Sequence, residues 1–256
     1  MPHQFPSVGP SSVGAIVTGT PDVQASTVME RNSDGDSNVN VMYAAKGVRS
    51  AGHLYIDQQS ESANVTIDES TQNGTVYNVT TAASTITVTL PAASGVTDKI
   101  IAIKKVDTGA GTVIIDADSS ETIEGKTTFT LYTAGDIVWI QSDGSNWRIV
   151  HATLSPAVIA KSASFTADDQ PLTEFVYICD TTSGSITATL PAASGLKGRK
   201  LTFKKIVSGN NLVLDANSSE TIDNATTKTS ATEFASYRII CDGSEWWNIS
   251  TAGTWT

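Results

Sequence analysis

Along this chain, branched aliphatic residues come in short bursts that alternate with threonine, serine and asparagine. Ile86, Val88 and Leu90 alternate with Thr87 and Thr89, Val39, Val41 and Tyr43 with Asn38, Asn40 and Met42, and Leu54 and Ile56 with His53, Tyr55 and Asp57. A period of two sends successive side chains to opposite faces of a strand, and threonine opposite a branched aliphatic suits a half-buried pleated surface. The same grammar predicts strands over 76–79, 86–90, 101–106, 112–117, 137–141 and 147–150, and again over 176–179, 186–190, 201–206, 212–216, 237–241 and 247–249. Asp143-Gly144 and Asp242-Gly243 each lie between two such bursts and predict a hairpin. No stretch sustains a helical period. Short strands separated by turn residues predict an all-β chain of sandwich or small-barrel type.

The bursts also repeat as a block. ITVTLPAASG at 86–95 returns as ITATLPAASG at 186–195, and from Ile86 to Val106 against Ile186 to Ile206, 11 of 21 positions are identical. Asp116-Ala117-Asp118-Ser119-Ser120-Glu121-Thr122-Ile123 returns as Asp215-Ala216-Asn217-Ser218-Ser219-Glu220-Thr221-Ile222, and Asp143-Gly144-Ser145-Asn146-Trp147 as Asp242-Gly243-Ser244-Glu245-Trp246. The predicted organisation is therefore an extended arm (1–29), a short β-rich anchoring segment (30–62), a first β module (63–152) and its duplicate (153–256). Val113 and Ile115 keep size and phase in Leu212 and Leu214, which predicts one buried face in both copies. A domain of about 90 residues buries only roughly 60–65% of its unfolded surface. Each module would gain from a neighbour, either the other copy or an identical chain.

Charge and composition narrow the function classes. A net charge of −10 argues against a nucleic-acid partner, which needs a clustered basic face. No long apolar run predicts a membrane span, and the N-terminal residues carry neither the basic nor the apolar region of a signal peptide. Asn64, Asn73, Asn78, Asn217, Asn224 and Asn248 begin Asn-x-Ser/Thr sequons, which so threonine-rich a chain produces by chance. Cys179 and Cys241 both lie in the second copy, so the shared fold does not depend on them; buried free thiols are expected, with a disulfide specific to the second module as the alternative.

Candidate chemistry is sparse. His3, His53 and His151 have no metal-ligand spacing, and neither a nucleophile elbow nor a phosphate-binding glycine loop occurs. Cys179 with His151 could form a nucleophile–base pair, but Cys179 sits mid-strand in Val-Tyr-Ile-Cys, where a structural role is expected. Asp116/Asp118 and Asp168/Asp169 are possible carboxylate pairs for glycoside cleavage; the first becomes Asp215/Asn217 in the second copy, and Asp116 and Asp215 are expected to be turn residues. The run from Asp34 opens like a calcium loop but places Val39 and Ala45 where glycine and glutamate belong. Glu121 and Glu220 are expected to serve a duplicated turn, and Lys104-Lys105 and Lys204-Lys205 to form a solvated strand edge. Trp147 and Trp246 match between copies and are expected in the core, which leaves Trp247 and Trp255 as candidates for contact with a sugar ring. No catalytic, metal or cofactor residue is assigned. The arm holds one charged side chain, Asp22, with Phe5, Val8, Val13, Ile16, Val17 and Val23 spread along it, and is expected to order across a partner surface.

A strand ending in Leu-Pro-Ala-Ala-Ser-Gly, then Ile-x-Ile-Lys-Lys-Val, then Val-Ile-Ile-Asp-Ala-Asp-Ser-Ser-Glu-Thr-Ile-Glu-Gly, and last Ser-Asp-Gly-Ser-Asn-Trp-Arg-Ile-Val, resembles the small β modules of tailed-bacteriophage structural proteins. Such modules occur in tail fibres and in fibres that decorate the head. The resemblance covers about residues 63–250. It implies a non-enzymatic virion component, a homotrimer, whose arm would dock on the major capsid protein or another virion protein while the modules project outward. The other role it implies is a tail-fibre adhesin that holds host-surface glycan through Trp247 and Trp255.

Overall fold

The structure, a computed structural model, describes residues 57–71 and 74–256. The strands expected before residue 57, the Asp34 turn, and the arm residues Phe5, Val8, Val13, Ile16, Val17 and Val23 lie outside the described residues. The first copy runs through β1 (Gln58–Glu61), β2 (Val65–Thr66), β3 (Val76–Val79), β4 (Ile86–Thr89), β5 (Ile100–Lys105), β6 (Val113–Asp116), β7 (Thr128–Leu131), β8 (Ile137–Ser142) and β9 (Trp147–Thr153). The second repeats it as β10 (Ala157–Lys161), β11 (Phe165–Thr166), β12 (Phe175–Cys179), β13 (Ile186–Thr189), β14 (Lys200–Lys205), β15 (Leu212–Asp215), β16 (Thr227–Ser230), β17 (Ser236–Cys241) and β18 (Trp246–Ala252).

The chain is all-β among the described residues, but its winding corrects the sandwich or barrel expectation. Within the first copy the chain alternates between two sheets, ordered β1-β3-β5-β8-β9 and β2-β4-β6-β7. Gln58 pairs in parallel with Val76, and Val76 with Ala102; Val65 pairs with Val88, and Ile86 with Val113. Each circuit therefore lands one strand spacing further on in both sheets. That is a β-solenoid, of about six turns across the two copies. After three turns each copy stops winding: β7 returns antiparallel to β6, and β8 and β9 close the other sheet antiparallel. The second copy does the same with β16, β17 and β18. Both Asp-Gly hairpins fall where expected, joining β8 to β9 and β17 to β18.

Parallel in-register stacking places like on like, and the alternation of the sequence decides what is stacked. Ile86, Val88, Leu90, Val113 and Ile115 are buried, as are Leu212 and Leu214, so the face assigned from their phase is the core face in both copies. In the second copy the stack is aromatic: Tyr177 lies over its register partner Phe203 with ring centroids 5.4 Å apart, and Phe165 packs on Tyr177 at 4.7 Å. Trp147 and Trp246 are wholly buried, each closing the core of its own copy.

The copies also touch one another. Tyr132, at the end of β7, packs edge-on against Phe175 at 5.6 Å and joins the second core. Beside it Lys126 pairs with Asp169, and the Ser155 N–H donates to Asp136 Oδ1 at 2.8 Å. The outer edge of β7 would leave backbone groups unpaired. Gln170 covers it: Thr130 N–H donates to Gln170 Oε1 at 2.5 Å, and Gln170 Nε2 donates to the Thr130 carbonyl at 2.9 Å. At the equivalent edge of β16, Thr229 exchanges both backbone bonds with Thr256. A side-chain amide in one copy and a peptide in the other do the same work.

Candidate functional site

The residues best matched between the copies hold the backbone. Glu121 accepts the Ala93 N–H on both carboxylate oxygens, at 2.9 and 3.1 Å, and Glu220 accepts that of Ala193 at 2.9 and 3.0 Å. These glutamates pin the turn within Leu-Pro-Ala-Ala-Ser-Gly to the Ser-Ser-Glu-Thr-Ile loop. Asp143 Oδ1 accepts the backbone N–H of Ser145 and Asn146, and Asp242 Oδ1 those of Ser244 and Glu245. Those bonds lower both carboxyl pKa values below the ordinary aspartate range. Asn146 and Glu245 each receive the N–H and hydroxyl of the facing threonine, Thr122 or Thr221.

Both cysteines are free and buried. Cys241 stands where the first copy has Ser142: Ser142 Oγ donates to the Ala93 carbonyl at 2.7 Å, and Cys241 Sγ to the Ala193 carbonyl at 3.3 Å. Burial pushes the Cys179 thiol up to about 12 and raises that of Cys241, so neither is a ready nucleophile. Asp169 is paired with Lys126, while Asp168 accepts the Gln170 N–H at 2.7 Å and receives the Tyr132 hydroxyl at 3.5 Å. Asp116 and Asp215 are the last residues of β6 and β15, not turn residues as expected. The lysine pairs correct the sequence reading most sharply. Lys105 and Lys205 are fully buried, not solvated, because the second lysine of each pair alternates inward with the core-facing residues of β5 and β14.

The tryptophans sort differently from expectation. Trp247 is 39% exposed, but its Nε1 donates to Asp242 Oδ2 at 2.7 Å, and Arg148 Nε makes the same bond to Asp143 Oδ2 at 2.9 Å in the first copy. Trp247 thus fills an arginine's place in the hairpin. Trp255 packs on Tyr237 with centroids 4.9 Å apart, and its N–H donates to the Ala252 carbonyl. Another tryptophan, Trp139, lines a cleft. On the outer face of the first five-stranded sheet, Gly74, Ile100, Trp139, Val150 and His151 line an apolar cleft of about 420 Å³. In the second copy the places of Gly74, Ile100 and Trp139 are taken by Glu174, Lys200 and Arg238; there Glu174 and Lys200, with Lys197 and Arg199, line a cleft of about 440 Å³. Arg238 Nη2 bonds Glu174 Oε1 at 2.6 Å.

Three equivalent positions therefore carry Gly74, Ile100 and Trp139 in one copy and a charged set in the other, and the second copy's cleft runs from two of them along residues 195–200. The signal for Trp139 was legible in the sequence, since its counterpart is Arg238, but only the sheet shows that the ring faces outward. Among the described residues no cluster of three or more His, Cys, Asp or Glu is arranged to hold a metal ion. No helix among them is long and apolar enough to cross a membrane.

No family model and no curated protein matches the chain. Among solved structures, one of a chaperone–substrate complex aligns with 76% of this chain at 15% identity and a TM-score of 0.32. This chain spans about a third (35%) of that chain's length, and a likeness of this degree carries no argument about fold or function.

Proposed function

We propose that the chain is a non-enzymatic structural protein of a tailed-phage type virion, a capsid decoration or head fibre. Its N-terminal region, with Phe5, Val8, Val13, Ile16, Val17 and Val23, docks on the major capsid protein, and the solenoid projects outward, assembled as a homotrimer. The observation that carries this reading is the division of labour between the copies. Their shared polar residues, Glu121/Glu220 and Asp143/Asp242, are committed to backbone amides, while the outer sheet face carries Gly74, Ile100 and Trp139 in one copy and Glu174, Lys200 and Arg238 in the other. A scaffold built for presentation has that pattern, and a solenoid suits a projecting part because it extends turn by turn. Deleting residues 1–29 tests the docking: the truncated protein should no longer bind purified capsids, and undiminished binding would refute it. Electron microscopy of labelled protein on virions should place the label on the head.

A second reading, a tail-fibre adhesin for host-surface glycan, is favoured by the half-buried Trp139 in an outward-facing cleft, since an indole face stacks well on a sugar ring. Here Trp139→Ala should abolish inhibition of phage adsorption by the purified protein, and Trp255→Ala should leave it. If the wild-type protein does not inhibit adsorption, this reading fails.

A further inference from the structure

The two copies treat one buried lysine differently. In the first, the Lys105 ammonium donates to Thr81 Oγ1 at 2.6 Å, to Asp107 Oδ1 at 2.9 Å and to the Gly109 carbonyl at 3.2 Å. Asp107 is held in turn by the N–H groups of Thr81 at 2.9 Å, Ala82 at 2.8 Å and Gly109 at 3.1 Å, and by the Thr81 hydroxyl at 3.1 Å. One carboxylate thus closes a ring of donors. Its loop folds tightly against the neighbouring turn, where a Cβ at Gly109 or Gly111 would fall 1.9 or 2.0 Å from the carbonyl oxygens of Ala82 and Ser84.

In the second copy Lys205 and Thr181 stand in the places of Lys105 and Thr81, and both are fully buried. The place of Asp107 is taken by Val207. Among the described residues the Lys205 ammonium has a single hydrogen-bond partner, the Val207 carbonyl, and no ion-pair partner, and Thr181 Oγ1 has no partner at all. Asp180, close in sequence, turns its carboxylate to the N–H and hydroxyl of Thr182 at 2.9 and 2.5 Å. The loop over the site is held down by the Val207 carbonyl on the ammonium and by Asn210 Nδ2, which donates to the Thr181 carbonyl at 2.9 Å, while a Cβ at Gly209 would meet nothing within 4 Å and Ser208, Gly209 and Asn210 are exposed. A buried charge left without a counter-charge is strongly unfavourable, and a buried hydroxyl without a partner adds to that cost.

We propose that the second copy contains a binding site for a carboxylate group that does not come from its own loop. The Lys205 ammonium and the Thr181 hydroxyl receive it beneath residues 207–211, in the position that Asp107 fills in the first copy. The first copy shows the chemistry the site takes: a planar group with two acceptor oxygens, one facing the ammonium, the hydroxyl and the Thr81 N–H, the other the N–H groups of Ala82 and Gly109. In the second copy Asp180 already holds the Thr182 N–H, which leaves those of Thr181 and Gly209. That carboxylate comes either from a small free acid or from an acidic side chain of a second copy of this chain.

Acetate, titrated against chloride at constant ionic strength, is the probe. Saturable shifts of the Thr181 and Gly209 amide resonances are expected in the wild type, with a melting temperature that rises with acetate. V207D, which rebuilds the first copy's ion pair, should show neither response, and without acetate it should melt about 2–4 °C above the wild type. If the group comes from another copy, the same resonances should move with protein concentration alone, in the wild type and not in V207D. Absence of both responses in the wild type overturns the site. So does an equal acetate response in V207D, or a V207D protein that melts no higher than the wild type.

Discussion

Single positions in this protein can be judged against their own counterparts, and the pair Ser142 and Cys241 shows the value of that comparison. Each donates to the carbonyl of the alanine in the turn after Leu-Pro-Ala, and each accepts the N–H of the following glycine. Cys241→Ser should therefore leave stability within about 1 kcal/mol, whereas Ser142→Val, which takes the acceptor from the Gly144 N–H and one of two donors from the Ala93 carbonyl, should cost about 1–3 kcal/mol by denaturant unfolding. Thiol titration should find no reactive cysteine in the native protein and two after unfolding, because both are free and buried. Asp107 makes a prediction about pH. The Thr81 N–H and the Lys105 ammonium hold its folded pKa far below the ordinary 3.8. A depressed folded pKa contributes stability that is fully present above the unfolded value and is lost as pH falls below about 4 towards the folded one. Asp107→Asn should accordingly flatten the acid limb of a stability–pH curve while lowering stability at neutral pH. The structural roles of Glu121 and Glu220 were visible in their repetition. The burial of Lys105 and Lys205 was not, because lysine at a strand end ordinarily reaches solvent and only the ring of acceptors around Lys105 allows it to stay inside.

At the level of elements, the strands were legible and their partners were not. Alternation assigns the buried face of β4, β6, β13 and β15, and Asp-Gly marks both hairpins, since these are local properties of strand and turn. Parallel and antiparallel neighbours demand the same alternation on a half-buried face, so a solenoid and a sandwich look alike along the chain. The edge of β7 makes the pairing testable. Gln170 gives both a donor and an acceptor to Thr130, and the residue is 5% exposed. Gln170→Glu keeps the acceptor and replaces the donor with an oxygen facing the Thr130 carbonyl. Its cost should be about 1–3 kcal/mol, and static light scattering should detect more self-association as the edge opens.

For the molecule as a whole, the junction between copies decides whether they behave as two domains or one. Tyr132 reaches from the end of β7 and packs on the second core, so a residue of the first copy completes the core of the second. Tyr132→Ala should destabilise by about 2–4 kcal/mol. It should also split a single unfolding transition into two, seen as non-coincident curves when separate probes report on each copy. Both copies would then be solenoid blocks of three turns, each with an opened end.

What the sequence alone determined is local: strand positions, the buried face of each strand, the two hairpins, and the duplication that separates shared architecture from private surface. Backbone geometry and the two-residue alternation suffice for all of that. Tertiary structure decided what joins residues distant in the chain: the circuit that brings Gln58 beside Val76 and Val76 beside Ala102, the inward turn of Lys105 and Lys205, and the outward turn of Trp139. These depend on which strand lies alongside and which groups close around a charge, and no period along the chain encodes either.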